Sequence, residues 1–270
     1  MSRESQTGEA PVAGNAILTV SKKTYLTPNY LRIALTGEDV QLFKNCTIGA
    51  NNKIFIPPPG ISEINFPVLD PEARNFIWPD AAVCPVVRTF THRGIDLIKN
   101  ELYIDFALHG DKGPASSWAI RSKTGDKLGV AMWINRTEDL YVPAEWYLLA
   151  GDATAIPVIS VILESLPAEA KGVVYLEVSG PGEVMVLKKP EGIQIEWLNN
   201  SIAGTESPLP EKIRTLQIPE NVSHFSYIAA ENSAVKAIRN YLQKELKWNS
   251  IEYRAYSYWK AGVSDDHVQH

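Results

Sequence analysis

The sequence HGDKGPASSWA occupies residues 109–119, and it points most directly to the architecture of this 270-residue chain. It follows a strand-like run at residues 102–108 and opens a helix-compatible segment that ends near Lys123. Two glycines, a proline and small side chains at such a junction let a ligand come close to the backbone. Because helix-start N–H groups and the helix dipole favour anions, the stretch predicts an anion-binding turn. A tight β-to-α turn without a ligand is the alternative.

The chain on both sides of this turn reads mostly as short strands. Runs rich in bulky apolar residues are separated by Gly, Pro and Asn, which is typical of an antiparallel barrel or sandwich. The polar segment 62–82 contains three prolines and predicts a loop. Strands are predicted at 16–35 (two runs), 53–56, 86–91, 102–108 and 127–134.

After Pro143 the pattern becomes an alternation of strands and helices, which indicates βαβ units around a parallel sheet. Strands are predicted at 146–150, 172–178, 193–198, 225–230 and 251–259, and helices at 154–166 and 233–246. We therefore predict an N-terminal antiparallel Greek-key β-barrel domain followed by a C-terminal Rossmann-like α/β domain. The predicted bounds are 1–15 for a disordered N-terminus, 16–143 and 144–262 for the two domains, and 263–270 for a polar tail.

Composition narrows the class of protein. The formal net charge of -5 argues against broad nucleic-acid binding, which requires a basic face. The first residues lack the apolar core of a signal peptide. The most apolar stretch, residues 146–163, is interrupted by Asp152 and Pro157, so we expect no membrane span. These features predict a cytoplasmic protein with neither nucleic acid nor membrane among its partners.

A second motif is the tetrapeptide RTFT at residues 88–91. In a strand, Arg88 and Phe90 share one face, and Thr89 and Thr91 share the other. An arginine can pair with a phosphate, an aromatic ring can flank a planar ligand, and a threonine hydroxyl can bond a ring nitrogen. Taken alone, so short a motif also fits an ordinary surface strand.

Two further motifs stand where predicted strands of the second domain end. Gly151 and Asp152 close a buried strand just before a helix, and residues 228–233 repeat this arrangement further along the chain. In open α/β folds, ligands bind at the carboxyl edge of the sheet. The two motifs therefore predict a second set of ligand-facing residues.

Together these motifs resemble those of the siderophore-interacting proteins, a flavin-dependent ferric-siderophore reductase family within the ferredoxin-reductase-like superfamily. The resemblance runs from about Ala16 to Gly262, and HG-x-x-GPAS-x-WA is its most distinctive part. The other parts are R-x-aromatic-T at 88–91, GD-x-TA-x-P at 151–157, the Glu231 segment, and Tyr258-Trp259 with Gly262. The resemblance implies an FAD-dependent enzyme that reduces siderophore-bound Fe(III) to Fe(II).

The resemblance also implies roles for particular residues. Arg88 would hold the FAD pyrophosphate, Phe90 would lie along the isoalloxazine, and Thr91 would reach the ring edge. Thr154 would sit near the flavin from the second domain. The remaining cofactor-binding residues carried over are Thr89 and Asp152, and His109, Gly113, Pro114, Ala115 and Ser116 in the diphosphate cradle.

This chain departs from the family pattern at three positions. Phe90 stands where the family usually has Tyr, which removes a hydroxyl but keeps the ring face. Ala153 and Ala230 replace an acidic residue and a glycine on the side where the electron donor would approach. No basic residue for a nucleotide 2′-phosphate occurs in residues 179–183, so NADH and reduced ferredoxin remain alternatives to NADPH.

Ferric siderophores are often anionic, and the resemblance implies a small basic cluster beside the flavin. The candidates are Lys53, Arg254 and Lys260, and strand alternation over six residues would place Arg254 and Lys260 on one face. Solvated surface side chains are the alternative reading of these residues. The siderophore already ligates its iron, and the five histidines show no metal-ligand spacing, so no protein metal site is predicted.

Two other functions fit the same features. One is a general flavin or ferredoxin reductase that handles no siderophore, and the other is a non-catalytic siderophore-binding protein. The expected partners are a ferric siderophore and, as a donor, ferredoxin, and the expected state is a monomer.

Overall fold

A computed structural model describes residues 12–263, except residues 71, 74 and 112. The chain divides into two compact units, residues 12–25 with 31–138, and residues 26–30 with 139–263. The predicted disordered N-terminus lies outside the described residues up to residue 11, as does the predicted tail from residue 264. Residues 13–15 belong to the first strand, which therefore begins earlier than predicted.

The N-terminal half is built from nine strands and one α-helix. In chain order these are β1 (Ala13–Thr27), β2 (Tyr30–Thr36), β3 (Asn51–Ile56), β4 (Val68–Asp70), β5 (Asn75–Ile77), β6 (Val86–Thr91), β7 (Gly94–Asp96), β8 (Glu101–Ala107), α1 (Pro114–Arg121) and β9 (Lys127–Trp133). Seven strands form one sheet in the order β6-β3-β9-β1-β2-β8-β7, and β4 pairs only with β5. The pairings of β1 with β9, β3 with β9, β3 with β6 and β7 with β8 are antiparallel.

This sheet curls towards a barrel, as predicted. The ring of Phe90 on β6 lies with its centroid 4.6 Å from that of Phe106 on β8. Because β6 is one edge of the sheet and β8 stands beside the other edge, this contact requires the sheet to bend round its own core. In the first half of β1 buried and exposed residues alternate, so one face of the strand packs into that core.

One buried charge interrupts the apolar core of this unit. The carboxylate of Asp105 on β8 is 1% exposed and forms a two-point ion pair with Arg32, at 2.7 and 2.8 Å. A second guanidinium, that of Arg93, lies 3.7 Å away. A buried carboxylate is tolerated only with such partners, so this ion pair ties β2 and β8 to the segment after β6.

The second unit contains a parallel five-stranded sheet in the order β12-β11-β10-β13-β14, with helices between its strands. The elements are β10 (Trp146–Asp152), α2 (Ile156–Ser165), β11 (Lys171–Val178), β12 (Ile193–Asn199), α3 (Leu209–Arg214), β13 (His224–Glu231), α4 (Asn232–Asn240) and β14 (Tyr253–Trp259). All four strand pairings are parallel. The chain reverses its direction of winding between β10 and β13, as in doubly wound folds, which confirms the predicted α/β class.

Some local structure differs from the sequence expectations. The predicted loop at 62–82 contains the β4–β5 hairpin, whose side chains are mostly exposed and so leave no alternating apolar pattern. The predicted helix at 233–246 is α-helical only to Asn240 and continues as a π-helical turn over Tyr241–Glu245. Among the described residues, no helix has both the length and the apolar character that crossing a bilayer requires.

We expect Asp105→Ala to lower the free energy of unfolding by about 3–5 kcal/mol, because it leaves Arg32 and Arg93 close together without their carboxylate. The measurement is urea unfolding of the purified protein. Asp111→Ala is the matched control, since it removes the exposed ion pair with Arg121 and should have little effect. Equal effects of the two substitutions would contradict this account of the core.

Candidate functional site

The RTFT motif lies on strand β6, and the two faces of this strand have different surroundings. Its antiparallel register with β3 sets Arg88 opposite Ile54, Thr89 opposite Lys53 and Phe90 opposite Asn52. Lys53 and Thr89 are exposed, and the Lys53 ammonium donates a hydrogen bond of 2.6 Å to the Thr89 hydroxyl. The structure therefore brings together two of the predicted site residues on one face.

The opposite face of β6 carries an aromatic row that the sequence did not reveal. The half-buried ring of Phe90 contacts Phe106, whose centroid lies 5.9 Å from that of Trp118 on α1. Aromatic contacts at these distances add to the stability gained by burial. The row fixes the position of Phe90 relative to β8 and α1. Trp118 belongs to the HGDKGPASSWA stretch, so this motif is the sequence feature that could have indicated the row.

The turn at residues 109–113 is closed by the hydroxyl of Ser116. This hydroxyl donates to the Gly110 carbonyl at 2.6 Å and accepts from the His109 N–H at 3.2 Å. Helix α1 begins with Pro114 after Gly113, and Gly113, the N-cap residue, has no side chain that could cap the helix. Uncapped N–H groups at a helix start are suited to an anion.

Gly113 lies directly against the imidazole of His109. A Cβ atom at position 113 would stand 2.7 Å from Cε1 and 3.3 Å from Nε2 of that ring. No larger residue fits unless the imidazole moves, so the turn keeps its backbone exposed beside His109. Binding of a dinucleotide diphosphate at this turn stays a prediction.

Two buried polar side chains next to the RTFT motif have no hydrogen-bond partner among the described residues. These are Asn52, which is 2% exposed, and His92, which is fully buried, and both polar atoms of each are unpartnered. The His92 N–H donates to the Ala50 carbonyl, so His92 and Asn52 are diagonal neighbours on one face of the strand pair. Burial lowers the pKa of His92 from 6.5 to about 4. The sequence gave no signal for this pair.

In the second unit, the carboxylate of Asp152 connects the ends of three strands. One oxygen accepts from the N–H and the hydroxyl of Thr154, at 2.9 and 2.5 Å. The other accepts from the Glu231 N–H at 2.9 Å and from the Trp259 indole N–H at 2.7 Å. Asp152 is 7% exposed, and burial raises its pKa against the opposing effect of these four hydrogen bonds.

Two more buried carboxylates end neighbouring strands. Glu177 on β11 accepts from Asn200 at 2.9 Å and from Ser207 at 2.5 Å, and burial raises its pKa. Glu231 on β13 accepts from Ser233 and from the Ala261 N–H. Burial opposes ionisation of Glu231, but these hydrogen bonds outweigh it and lower the pKa. Donors from the same unit therefore serve all of these strand-end acids.

The prediction that Arg254 and Lys260 share one face stays a prediction, and the end of β14 bears on it. Strand β14 ends at Trp259, and its register with β13 shifts between Ala230 and Glu231. A register shift breaks the two-residue alternation on which the prediction relied. Arg254 is the second residue of β14, so six residues of strand separate it from Lys260 by about 20 Å. Its guanidinium lies 5.9 Å from the ring of Phe225.

The remaining predicted site residues are accessible to different degrees. Thr154 is exposed while its hydroxyl is bound to Asp152, and Thr91 is buried at 4% exposure. Lys260 is exposed directly after β14. Within residues 12–263, apart from the three not described, no group of three or more His, Cys, Asp or Glu side chains is arranged to hold a metal ion.

Comparisons with known proteins cover both units. Residues 19–132 match the family model described as siderophore-interacting FAD-binding domain, and residues 144–262 match that described as siderophore-interacting protein. The chain is 34% identical over 251 residues to ferric vibriobactin reductase ViuB of Vibrio cholerae serotype O1, which covers 93% of this chain and 91% of that protein.

Two further comparisons also extend over most of the chain. The NADPH-dependent ferric-chelate reductase of Escherichia coli K12 is 29% identical over 252 residues, covering 90% of this chain and 92% of that protein. The crystal structure of the siderophore-interacting protein SipS from Aeromonas hydrophila aligns with a TM-score of 0.77 and 31% identity, over 93% of each chain.

We expect His92 to make stability depend on pH. Because its pKa is about 4 when folded and 6.5 when unfolded, the unfolded chain binds more protons between these values. Stability from this group is complete above pH 6.5 and falls by about 3 kcal/mol as the pH approaches 4. The measurement is the free energy of unfolding of the parent protein and of His92→Leu from pH 7 to 4. As the pH falls, the parent protein should lose more stability than the variant. Parallel profiles would contradict the burial of a neutral imidazole.

Proposed function

Because this chain belongs to the siderophore-interacting protein family, we propose that it is an FAD-dependent oxidoreductase that reduces siderophore-bound Fe(III) to Fe(II). The observation that carries the proposal is the cradle at the start of α1, where Gly113 leaves the backbone open beside His109. The names of the relatives, ferric vibriobactin reductase and NADPH-dependent ferric-chelate reductase, support the same activity.

For the cofactor, we propose that β6 and the 109–116 turn bind FAD. Arg88 would pair with the pyrophosphate, the Phe90 ring would lie along the isoalloxazine, and Thr89 and Thr91 would stand beside it. The aromatic row behind Phe90 supports this role, because it holds the ring in one orientation. The diphosphate would rest on the uncapped helix start, against His109, Gly113, Pro114, Ala115 and Ser116.

The two residues proposed from the second unit have different roles. Thr154 is exposed and would face the flavin, whereas Asp152 is buried with four internal hydrogen bonds. We therefore propose that Asp152 acts on the cofactor through Thr154, whose hydroxyl it holds. We also propose an FAD-binding domain over residues 16–143 and an NAD(P)H-binding-like domain over 144–262. The family-model matches at 19–132 and 144–262 support this division.

When bound, FAD supplies the redox chemistry, since a flavin can take up an electron pair and release the electrons singly. Each ferric ion takes one electron, so the pair from one NADH or NADPH reduces two ferric chelates and leaves the oxidised nucleotide and a proton. Ferrous iron is a softer, less highly charged ion that the oxygen ligands of a siderophore hold weakly, and it is released. The chain's own residues bind and orient the reactants.

For the substrate, we propose that exposed cations attract and hold an anionic ferric siderophore. Lys53 and Lys260 are both exposed and suited to this role. Arg254 remains a candidate on charge alone, because its position on β14 separates it from Lys260. Local cations in a protein of net charge -5 raise the concentration of an anionic ligand at the site.

NADH, NADPH and reduced ferredoxin are the candidate donors. The name of the Escherichia coli relative favours NADPH, while the lack of a basic residue at 179–183 favours NADH or ferredoxin. In the second unit Glu183 is buried and bonded to Thr27 and Asn29, so it is engaged in structure rather than exposed to a nucleotide. A monomeric state and a cytoplasmic location stay predictions.

The test is an anaerobic single-turnover experiment. Protein loaded with FAD is reduced by NADH, NADPH or reduced ferredoxin in turn and mixed with a ferric siderophore in the presence of a ferrous trap. We expect flavin reoxidation with one trapped Fe(II) for each electron delivered. A protein that refuses FAD would instead be a siderophore-binding protein, and one that reduces free flavin but no ferric siderophore would be a general flavin reductase.

We expect Gly113→Ala to weaken FAD binding about tenfold, because the new methyl group displaces the His109 ring from the cradle. The measurement is titration of flavin-free protein by quenching of FAD fluorescence. Gly182→Ala is the control: its Cβ would meet no atom within 4 Å, and its backbone is not left-handed. Unchanged affinity in the Gly113 variant would remove the main support for the proposed cradle.

A further inference from the structure

The segment that follows β14 is held by two buried carboxylates, one on each side of Lys260. The indole N–H of Trp259 donates to Asp152 at 2.7 Å, and the N–H of Ala261 donates to Glu231 at 3.2 Å. Both acceptors are 7% exposed, while Lys260 between them is exposed. The two bonds anchor the chain immediately before and immediately after this lysine.

The two carboxylates are themselves fixed in orientation. Asp152 also accepts from Thr154 and from the Glu231 N–H, which links the ends of β10 and β13 directly. Glu231 also accepts from the N–H and hydroxyl of Ser233 at the start of α4. In a buried site a hydrogen bond gains electrostatic strength, because little water competes for the acceptor. The anchors are therefore rigid.

Packing and a turn restrict the same segment further. A Cβ atom on Gly204 would lie 2.9 Å from the Ala261 Cβ and 3.0 Å from the Trp259 ring, so the 200–205 loop packs tightly against it. The Val263 N–H donates to the Lys260 carbonyl at 3.1 Å and closes a turn through Gly262, whose φ is +74°. The backbone is thus restrained on both sides of Lys260.

The ammonium of Lys260 is not used by this arrangement. Among the ion pairs recorded within residues 12–263, with the described gaps, none includes Lys260. The hydrogen bonds of Asp152 and Glu231 described above all come from other donors. The arrangement therefore leaves the Lys260 ammonium available to an external anion.

We propose that Trp259 is a positioning residue that, through Asp152 and together with the Ala261–Glu231 bond, holds Lys260 where it receives an anionic ferric siderophore. This inference rests on the proposed ferric-siderophore reductase function. Holding the backbone in advance lowers the entropy lost when Lys260 contacts the ligand. Loss of the anchor should therefore weaken binding of the ferric chelate, and more so for a chelate of higher negative charge.

The test uses full-length protein with bound FAD, reduced chemically so that no physiological donor is needed. Its reoxidation is followed by stopped flow against increasing concentrations of a trianionic ferric tris(catecholate) and a neutral ferric trihydroxamate. The variants are Trp259→Phe, Lys260→Gln and both together. Trp197→Phe is the matched control, because no hydrogen bond of that indole is recorded within the described part of the chain.

We expect Trp259→Phe to raise the half-saturating concentration of the trianionic chelate about fivefold, a coupling typical of neighbouring residues. The change for the neutral chelate should be much smaller. In the Lys260→Gln background, Trp259→Phe should add nothing further, because both changes remove the same contact. The Trp197→Phe protein should resemble the parent protein.

A second substitution separates loss of the hydrogen bond from loss of packing. Incorporation of 3-benzothienylalanine at position 259 keeps the shape of the ring and removes only the N–H, so it should reproduce the charge-selective effect in a folded protein. Three results would overturn the inference: additive effects of Trp259→Phe and Lys260→Gln, equal weakening for both chelates, or no effect of Lys260→Gln. If the parent protein were not reoxidised by any ferric chelate, the proposed function would fail first.

Discussion

A polar group that is removed from water must find a hydrogen-bond partner, and this requirement organises both units of the chain. In the second unit, Asp152 meets it by accepting four hydrogen bonds from three successive strand ends. The parallel sheet would otherwise end in unconnected strands at this edge. The buried carboxylate therefore determines where Thr154 and Trp259 stand, and through them which side chains reach the solvent.

The first unit meets the same requirement only in part. Asp105 is paired with Arg32 inside the sheet, whereas Asn52 and His92 have no partner among the described residues. These two side chains lie beside the strand that carries the RTFT motif. Burial keeps His92 neutral at ordinary pH, so the pair adds polarity without charge next to that strand. The glycine cradle at the start of α1 follows a similar logic, because its N–H groups are left for a ligand.

Function in this family rests on a cofactor for electron transfer and on the protein for binding, and the structure reflects that division. The described residues contain no metal-ligand cluster, and the iron arrives already ligated. What the chain itself contributes is shape and charge: a tight turn closed by Ser116, an aromatic row that fixes Phe90, and exposed lysines in a protein that is acidic as a whole. Buried acids hold the backbone on both sides of the lysine after β14.

Much of this could be read from the residues alone. The change from strand runs to strand–helix alternation near residue 143 predicted the two fold classes, because apolar periodicity is a local property. The HGDKGPASSWA and RTFT motifs, together with those at 151–157, Glu231 and 258–262, were enough to recognise the family, since they place special residue types at strand ends or on one strand face. The limits of most long strands were correct to within one or two residues.

Other features depended on contacts between distant segments. The register shift beside Glu231 arises where β13 meets β14, and it interrupts the two-residue alternation between Arg254 and Lys260. The β4–β5 hairpin has exposed faces and so carries no apolar pattern to detect. Asn52 and His92, and Asp152 with Trp259, are far apart in the chain. Their proximity follows from the order and register of the strands in a sheet. The apolar periodicity within any one segment does not contain that information.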